Sequence, residues 1–267
     1  MEFALPHAWP LIVAGGFVVG LLVGLTGVGA GSLTTPFLIT AIGVNPVIAV
    51  GTDLLFACIT KASAAWRHHR LGNVNVSIVL WLAAGSLPAA AAVFFWLAHS
   101  GIDTSAMGRH IRTMLAVVLV VSAIAIAAYP LAVAPRKAAA ETANDAHAAA
   151  RPLLTWLLGV LLGTAVALTS VGAGAIGVVA LTVLYPALPV RRLVGTDIVH
   201  AIPLTLVTGL GHLSLGNVDG MLLVTLLAGS VPGIAIGSRL TGVLPDWGLR
   251  AALASMLCLA AFAVSMK

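Results

Sequence analysis

Apolar residues run through this chain in long blocks separated by charges, prolines and glycines. About 20 consecutive apolar residues in a helix cross a bilayer. Five such stretches precede the middle of the chain, at 10–26, 27–43, 46–66, 76–98 and 111–129. Residues 131–151 form the most polar stretch, with Pro-Arg-Lys, an alanine run and Glu-Thr-Ala-Asn-Asp-Ala-His, and read as an exposed linker. Five more apolar stretches follow, at 152–169, 171–188, 193–213, 218–238 and 248–266. The pattern predicts an all-α polytopic membrane protein. Its parts are a membrane repeat over 1–130, a linker over 131–151 and a second repeat over 152–267.

The two halves are copies of one another. Leu25-Thr26-Gly27-Val28-Gly29-Ala30-Gly31 recurs as Leu168-Thr169-Ser170-Val171-Gly172-Ala173-Gly174. Val50-Gly51-Thr52-Asp53 recurs as Val194-Gly195-Thr196-Asp197, Leu71-Gly72-Asn73-Val74 as Leu215-Gly216-Asn217-Val218, and Ala84-Gly85-Ser86 as Ala228-Gly229-Ser230. The first block is offset by 143 residues and the others by 144, so one single-residue indel brings all four into register.

An odd number of crossings per half inverts the second copy relative to the first. With the N-terminus outside, the inside loops hold Arg67, Arg70, Arg136, Lys137, Arg151, Arg191, Arg192, Arg239 and Arg250, and the outside regions only Arg109, Arg112 and Lys267. Cytoplasmic loops carry the excess of Lys and Arg, so both termini are expected in the periplasm of an inner-membrane protein and the linker in the cytoplasm. Equivalent loops also swap charge: Arg67-His68-His69-Arg70 faces a cation-free counterpart before Leu215, and Arg191-Arg192 faces Val47-Ile48. The first two stretches of each half are short and Gly-interrupted. The fold is therefore eight full spans with two short or re-entrant hairpins, or ten spans.

Composition agrees with the pattern. Of 267 residues, 60% are hydrophobic and 8% charged, against about 25% charged in a soluble domain. The net charge of +5 is dispersed as single or paired cations between apolar segments, a distribution of topology determinants, so no nucleic-acid partner is expected. Cys58 and Cys258 lie in apolar runs outside any C-x-x-C pair. No cation precedes the first apolar run, so that run is expected to belong to the mature chain.

Inverted repeats place a transport site where broken helices of both halves meet near the bilayer midplane. The paired Gly-rich turns supply such breaks, and a helix starting there presents N–H donors and roughly half a positive charge to an anion. Close helix packing through small residues is the competing reading. The candidate substrate-binding set is Gly29, Ala30, Gly31 and Thr52 of the first copy with Gly172, Ala173, Gly174 and Thr196 of the second.

Asp53 and Asp197 are ionisable residues within membrane segments and so candidates for function; capping a helix after a Gly-Thr break is the alternative. A carboxylate facing an anion must carry a proton, which points to anion–proton coupling. Lys61 shares a face with Asp53 two turns on; it can pair with it, attract an anion, or snorkel toward Arg67, the simplest expectation. His200, one turn from Asp197, is a proton-relay candidate or a packed histidine. His68 and His212 fall before the Leu-Gly-Asn-Val turns and are expected in solvent, and Asn73 and Asn217 in turns.

Gly-x-Gly-Ala-Gly, then a Pro-bearing apolar run, then Gly-Thr about twenty residues on, all duplicated, resembles the sulfite exporter TauE/SafE family, also called the 4-toluene sulfonate uptake permeases. The resemblance covers nearly the whole chain outside the linker. It implies a bacterial multi-pass carrier of sulfite, thiosulfate or an organosulfonate such as sulfoacetate. Two features depart from the family pattern: Ala30 and Ala173 replace the middle glycine, and Asp follows Gly-Thr where Ser is common. The rival readings are a carrier of a divalent metal, with Asp53, Asp197, His200 and His212 as ligands, and a carrier of a non-sulfur carboxylate. The sequence has neither H-E-x-x-H nor a nucleophile–base pair, so neither an enzyme nor a cofactor is expected. The expected partners are a small anion, the lipid bilayer and, at most, a second copy of the chain.

Overall fold

The computed structural model describes residues 9–26, 31–99, 104–133, 151–240 and 246–266. They form ten helices and, among the described residues, no strand. The first half holds α1 (Trp9–Thr26), α2 (Gly31–Phe37, continued by a π-helical turn, Leu38–Ile42), α3 (Pro46–Arg70), α4 (Val76–His99) and α5 (Thr104–Val133). The second holds α6 (Pro152–Thr169), α7 (Ala175–Leu184), α8 (Val190–Ser214), α9 (Gly220–Leu240) and α10 (Asp246–Ser265). Each predicted apolar stretch contains one helix. Seven helices of the described residues are long and apolar enough to cross a membrane. The chain is a polytopic α-helical membrane protein.

The three shorter apolar helices are Trp9–Leu25, Gly31–Ile42 and Ala175–Leu184. At 1.5 Å per residue the ten residues of α7 rise about 15 Å, half the hydrocarbon thickness. The sequence predicted an apolar stretch over 171–188, but the helix is shorter at both ends. Gly172 (φ 132°) and Gly174 (φ 117°) adopt backbone conformations that L side chains rarely take, and Pro186 follows the last turn. Residues 27–30 and 134–150, with Gly29, Ala30 and most of the predicted linker, lie outside the described residues.

Helix pairing follows the sequence duplication, which aligns α1 to α5 with α6 to α10. α1 packs along α9 and α6 along α4; α3 packs on α8 and α5 on α10; α2 meets α10 and α7 meets α5. Exchanging the copies converts each pairing into another of the set or into itself. The pairs α1–α9 and α4–α6 approach backbone to backbone. A Cβ on Gly16 or Gly20 would run into the carbonyl oxygen of Leu226 or Ser230, and one on Gly159 or Gly163 into that of Leu82 or Ser86. These are equivalent contacts at matched register, the small-residue packing by which helices associate in lipid.

Two further bonds join the copies. The Thr52 hydroxyl accepts from the Asp219 N–H at 3.0 Å, and the Thr196 hydroxyl accepts from the Asn75 N–H at 2.9 Å. Asp219 and Asn75 in turn cap α9 and α4: Asp219 Oδ1 accepts from Met221 and Leu222 N–H, and Asn75 Oδ1 from Ile78 N–H.

Candidate functional site

The second Gly-rich turn and the middles of α3 and α8 enclose the main cluster of buried polar groups. Asp53 and Asp197 are each the eighth residue of a 25-residue helix and are fully buried. Neither caps its own helix, since both lie two turns inside it. Each carboxylate instead abuts the short helix of its own half. Thr35 Oγ on α2 donates to Asp53 Oδ2 at 2.6 Å, and the Thr34 and Ser170 hydroxyls face the same carboxylate. Asp197 lies against Gly177, the position equivalent to Thr34: a Cβ there would collide with Oδ1. The Gly174 N–H, at the start of α7, is directed at Asp197. Asp53 Oδ1 and both Asp197 oxygens are buried without a hydrogen-bond partner. Buried polar atoms of this kind are rare, and each calls for a partner or an explanation.

Lys61 does not snorkel. Its side chain is 8% exposed, and its Nζ donates to the Ala173 carbonyl in the second Gly-rich turn at 3.4 Å. The charges of Asp197 and Asp53 both reach its ammonium. α3 thus sends a cation from the first copy into the broken helix of the second. The physical reason is electrostatic: the centre holds two carboxylates, and a cation within their field offsets part of the cost of burying all three.

The turn itself is shaped for close approach. Ser170 takes a left-handed conformation (φ 60°) and caps the C-terminus of α6 through its N–H to the Val166 carbonyl, with its buried Oγ facing the Asp53 carboxylate. The α7 N-terminus follows at Gly174, with no side-chain cap. Ammonium, buried hydroxyl and helix N-terminus converge where a small anion would find compensating charge and donors.

His200 is fully buried and shares a 2.8 Å hydrogen bond with Ser86 on α4 through Nε2, while Nδ1 has no partner. His212 is buried in α8, contrary to the solvated role expected of it. Its Nε2 donates to the Ala167 carbonyl at 3.0 Å, and its ring meets Phe94 edge-on at 5.1 Å. His212 lies inside the expected 193–213 stretch, and its ring is drawn in by Ala167 and Phe94 of the neighbouring helices.

Of the residues singled out from sequence, the structure brings together Asp53, Asp197, Lys61, His200, Ala173, Gly174 and Gly31, whose added Cβ would meet the Ser170 carbonyl. Gly172 shapes the turn. Thr52 and Thr196 stand apart: both hydroxyls are engaged in the bonds between copies. Sequence reasoning passed over Thr35, Ser86 and Ser170. Ser86 belongs to the duplicated Ala-Gly-Ser block and Ser170 to the Gly-rich block, so the duplication carried the signal for both. Asn73 and Asn217 follow Gly72 (φ 67°) and Gly216 (φ 73°) in equivalent turns, as expected.

The chain is 37% identical over 238 residues to the probable membrane transporter protein YjnA of Bacillus subtilis, covering 86% of this chain and 89% of that protein. It is 28% identical over 243 residues to the probable membrane transporter protein YdhB of the same organism, covering 91% and 94%. No solved structure matches it. The model of the family described as sulfite exporter TauE/SafE matches residues 12–264. With its duplicated Gly-rich turns and polytopic helical fold, the chain belongs to the sulfite exporter TauE/SafE family of membrane transporters.

Proposed function

We propose that this transporter carries a small sulfur-containing anion, such as sulfite, thiosulfate or an organosulfonate, across the bacterial inner membrane. Two oppositely oriented halves alternate access to the shared centre, with both termini periplasmic and the linker cytoplasmic. The observation that carries the reading is Lys61, a buried ammonium on a membrane-spanning helix, aimed at the turn before α7. A charge at that depth is retained for a substrate, an ion or a partner. The Ser170 hydroxyl and the N-terminus of α7 supply further donors around the turn, facing Asp53 and Asp197, the chemistry of an oxyanion seat. The family name supports sulfur as the central atom. The matched pairing of helices supports a two-fold relation between the halves, and the swap of basic loops between the copies supports their inversion.

The test is thermal stabilisation of the purified protein by sulfite, thiosulfate, sulfoacetate, lactate, Ni²⁺ and Co²⁺. A ligand at about 100 times its Kd stabilises the folded state by roughly 2.7 kcal/mol. The sulfur oxyanions are expected to raise the melting temperature, and Lys61→Met to abolish the rise. Stabilisation by lactate alone would move the substrate to carboxylates. A response to the metals alone would sink the anion reading and recast Asp53 and Asp197 as ligands. Among the described residues, no three His, Cys, Asp or Glu side chains come together as a metal-holding group.

A further inference from the structure

The hydrogen bond between Ser86 and His200 leaves one buried donor proton unused. Ser86 Oγ on α4 and His200 Nε2 on α8 lie 2.8 Å apart, and both side chains are fully buried. A serine hydroxyl and a neutral imidazole bring two donor protons to this bond, and it consumes one. Ser230, the repeat equivalent of Ser86, turns its hydroxyl back to the Leu227 carbonyl of its own helix at 3.5 Å. Ser86 instead leaves its helix for the ring. Its hydroxyl then donates to Nε2, and the ring proton sits on Nδ1, which has no hydrogen-bond partner. His212 holds the opposite tautomer: its Nε2 donates to the Ala167 carbonyl, so its bare Nδ1 is an unused acceptor. A buried N–H left without an acceptor is costly unless something comes to accept it. We propose that His200 Nδ1–H donates a hydrogen bond to the transported anion, with Ser86 as the positioning residue that fixes the tautomer. The inference rests on the anion-carrier reading above.

Helix register brings this donor to the level of Lys61. α3 and α8 run antiparallel: a Cβ on Gly51 would meet His212, and one on Gly209 would meet Leu55. Further along, Cys58 Sγ lies 3.9 Å from the Ile202 carbonyl. Lys61 follows Cys58 by three residues, and His200 precedes Ile202 by two. At 1.5 Å per residue both lie on the same side of that contact, about 4.5 Å and about 3 Å along the axis. The charge of Lys61 reaches the His200 ring accordingly. Both helices also meet the turn before α7: Lys61 Nζ is on the Ala173 carbonyl, and Asp197, one turn before His200, lies against Gly177. A cationic donor and a neutral donor from two helices suit an anion that offers more than one acceptor oxygen, as thiosulfate and sulfoacetate do. The repeat-equivalent positions hold Thr205 and Phe56. Thr205 spends its hydroxyl on the Ala201 carbonyl, and phenylalanine has no donor. The pair is therefore built once per chain, for one anion.

The experiment uses the full chain in detergent, isotopically labelled at its histidine nitrogens, with thiosulfate as the probe. Resonances missing from the His200→Asn spectrum identify the ring. It is expected to carry its proton on Nδ1, and thiosulfate is expected to shift Nδ1 more than Nε2. Thermal-shift titration gives the Kd of each variant. Asparagine places an amide N–H near the Nδ1 position, so His200→Asn is expected to keep the thiosulfate Kd within about threefold. Glutamine reaches Ser86 but not the anion, so His200→Gln is expected to raise the Kd about ten- to hundredfold. Ser86→Ala is expected to move ring protons to Nε2 and raise the Kd, a spectral change that a merely structural hydroxyl would not cause. An unaltered ring protonated on Nε2, or a His200→Gln variant that binds as tightly as the unaltered chain, overturns the inference and leaves the anion reading standing. Should His200→Gln fail to fold, the nitrogen spectrum of the unaltered chain decides alone. No stabilisation of the unaltered chain by thiosulfate, sulfite or sulfoacetate overturns both.

Discussion

Gly177 and Thr34 occupy equivalent positions in the two copies, yet one presents no side chain to its carboxylate and the other a hydroxyl. The difference divides labour between the aspartates: Asp53 is bonded by a hydroxyl, and Asp197 faces a bare glycine backbone and the Gly174 N–H. Gly177→Ala puts a methyl group into Asp197 Oδ1, and the crowding is expected to lower stability by about 1–3 kcal/mol. Gly220→Ala is the control, because nothing lies within 4 Å of a Cβ built there. Melting temperatures of the two variants in detergent should separate clearly; equal values would mean that the carboxylate is free to move aside.

At the scale of helices, the bonds from Thr52 and Thr196 tie the starts of α9 and α4 to the middles of α3 and α8. Hydrophobic attraction between helices is absent in lipid, so association depends on close packing and on interhelical hydrogen bonds such as these. Thr52→Val and Thr196→Val each leave a backbone N–H without its acceptor, at an expected cost of about 1 kcal/mol. The two sites share no partner, so the double variant should lose about the sum. Markedly unequal single losses, measured by denaturation in mixed micelles, would contradict the equivalence of the two bonds. The glycines at 16, 20, 159 and 163 make the same point about packing. In the sequence they read only as apolar filler, and only the paired helices reveal that each faces a carbonyl.

At the scale of the molecule, the proposed orientation rests on charge. Arg70 stacks over Trp66 with its guanidinium carbon 4.8 Å from the ring centre, and Arg250 over Tyr129 at 4.4 Å. Both arginines belong to the face expected in the cytoplasm, and arginine–aromatic pairs suit the membrane–water interface. A cysteine placed at position 144 in a Cys58→Ser, Cys258→Ser background should resist an impermeant maleimide in whole spheroplasts and react after lysis. One placed at position 101 should react in both. The reverse pattern would overturn the proposed orientation.

The sequence by itself determined the class, the number of helical segments, the duplication and the position of the break before α7. Each of these is written in local hydrophobicity, in glycine spacing or in repeated blocks, which survive without knowledge of contacts. It also drew attention to Asp53, Asp197, Lys61 and His200, because ionisable groups on apolar helices are conspicuous. Tertiary structure decided their partners. Lys61 turned inward because the carboxylate of another helix and a carbonyl of the opposite half lie there, and no reading along one helix contains either. His212 became a core residue through its contacts with Ala167 and Phe94, and Thr52 and Thr196 became fasteners through contacts 167 and 121 residues apart in sequence. Long-range pairing of polar groups is set by how helices cross in three dimensions, and that crossing depends on all of them at once.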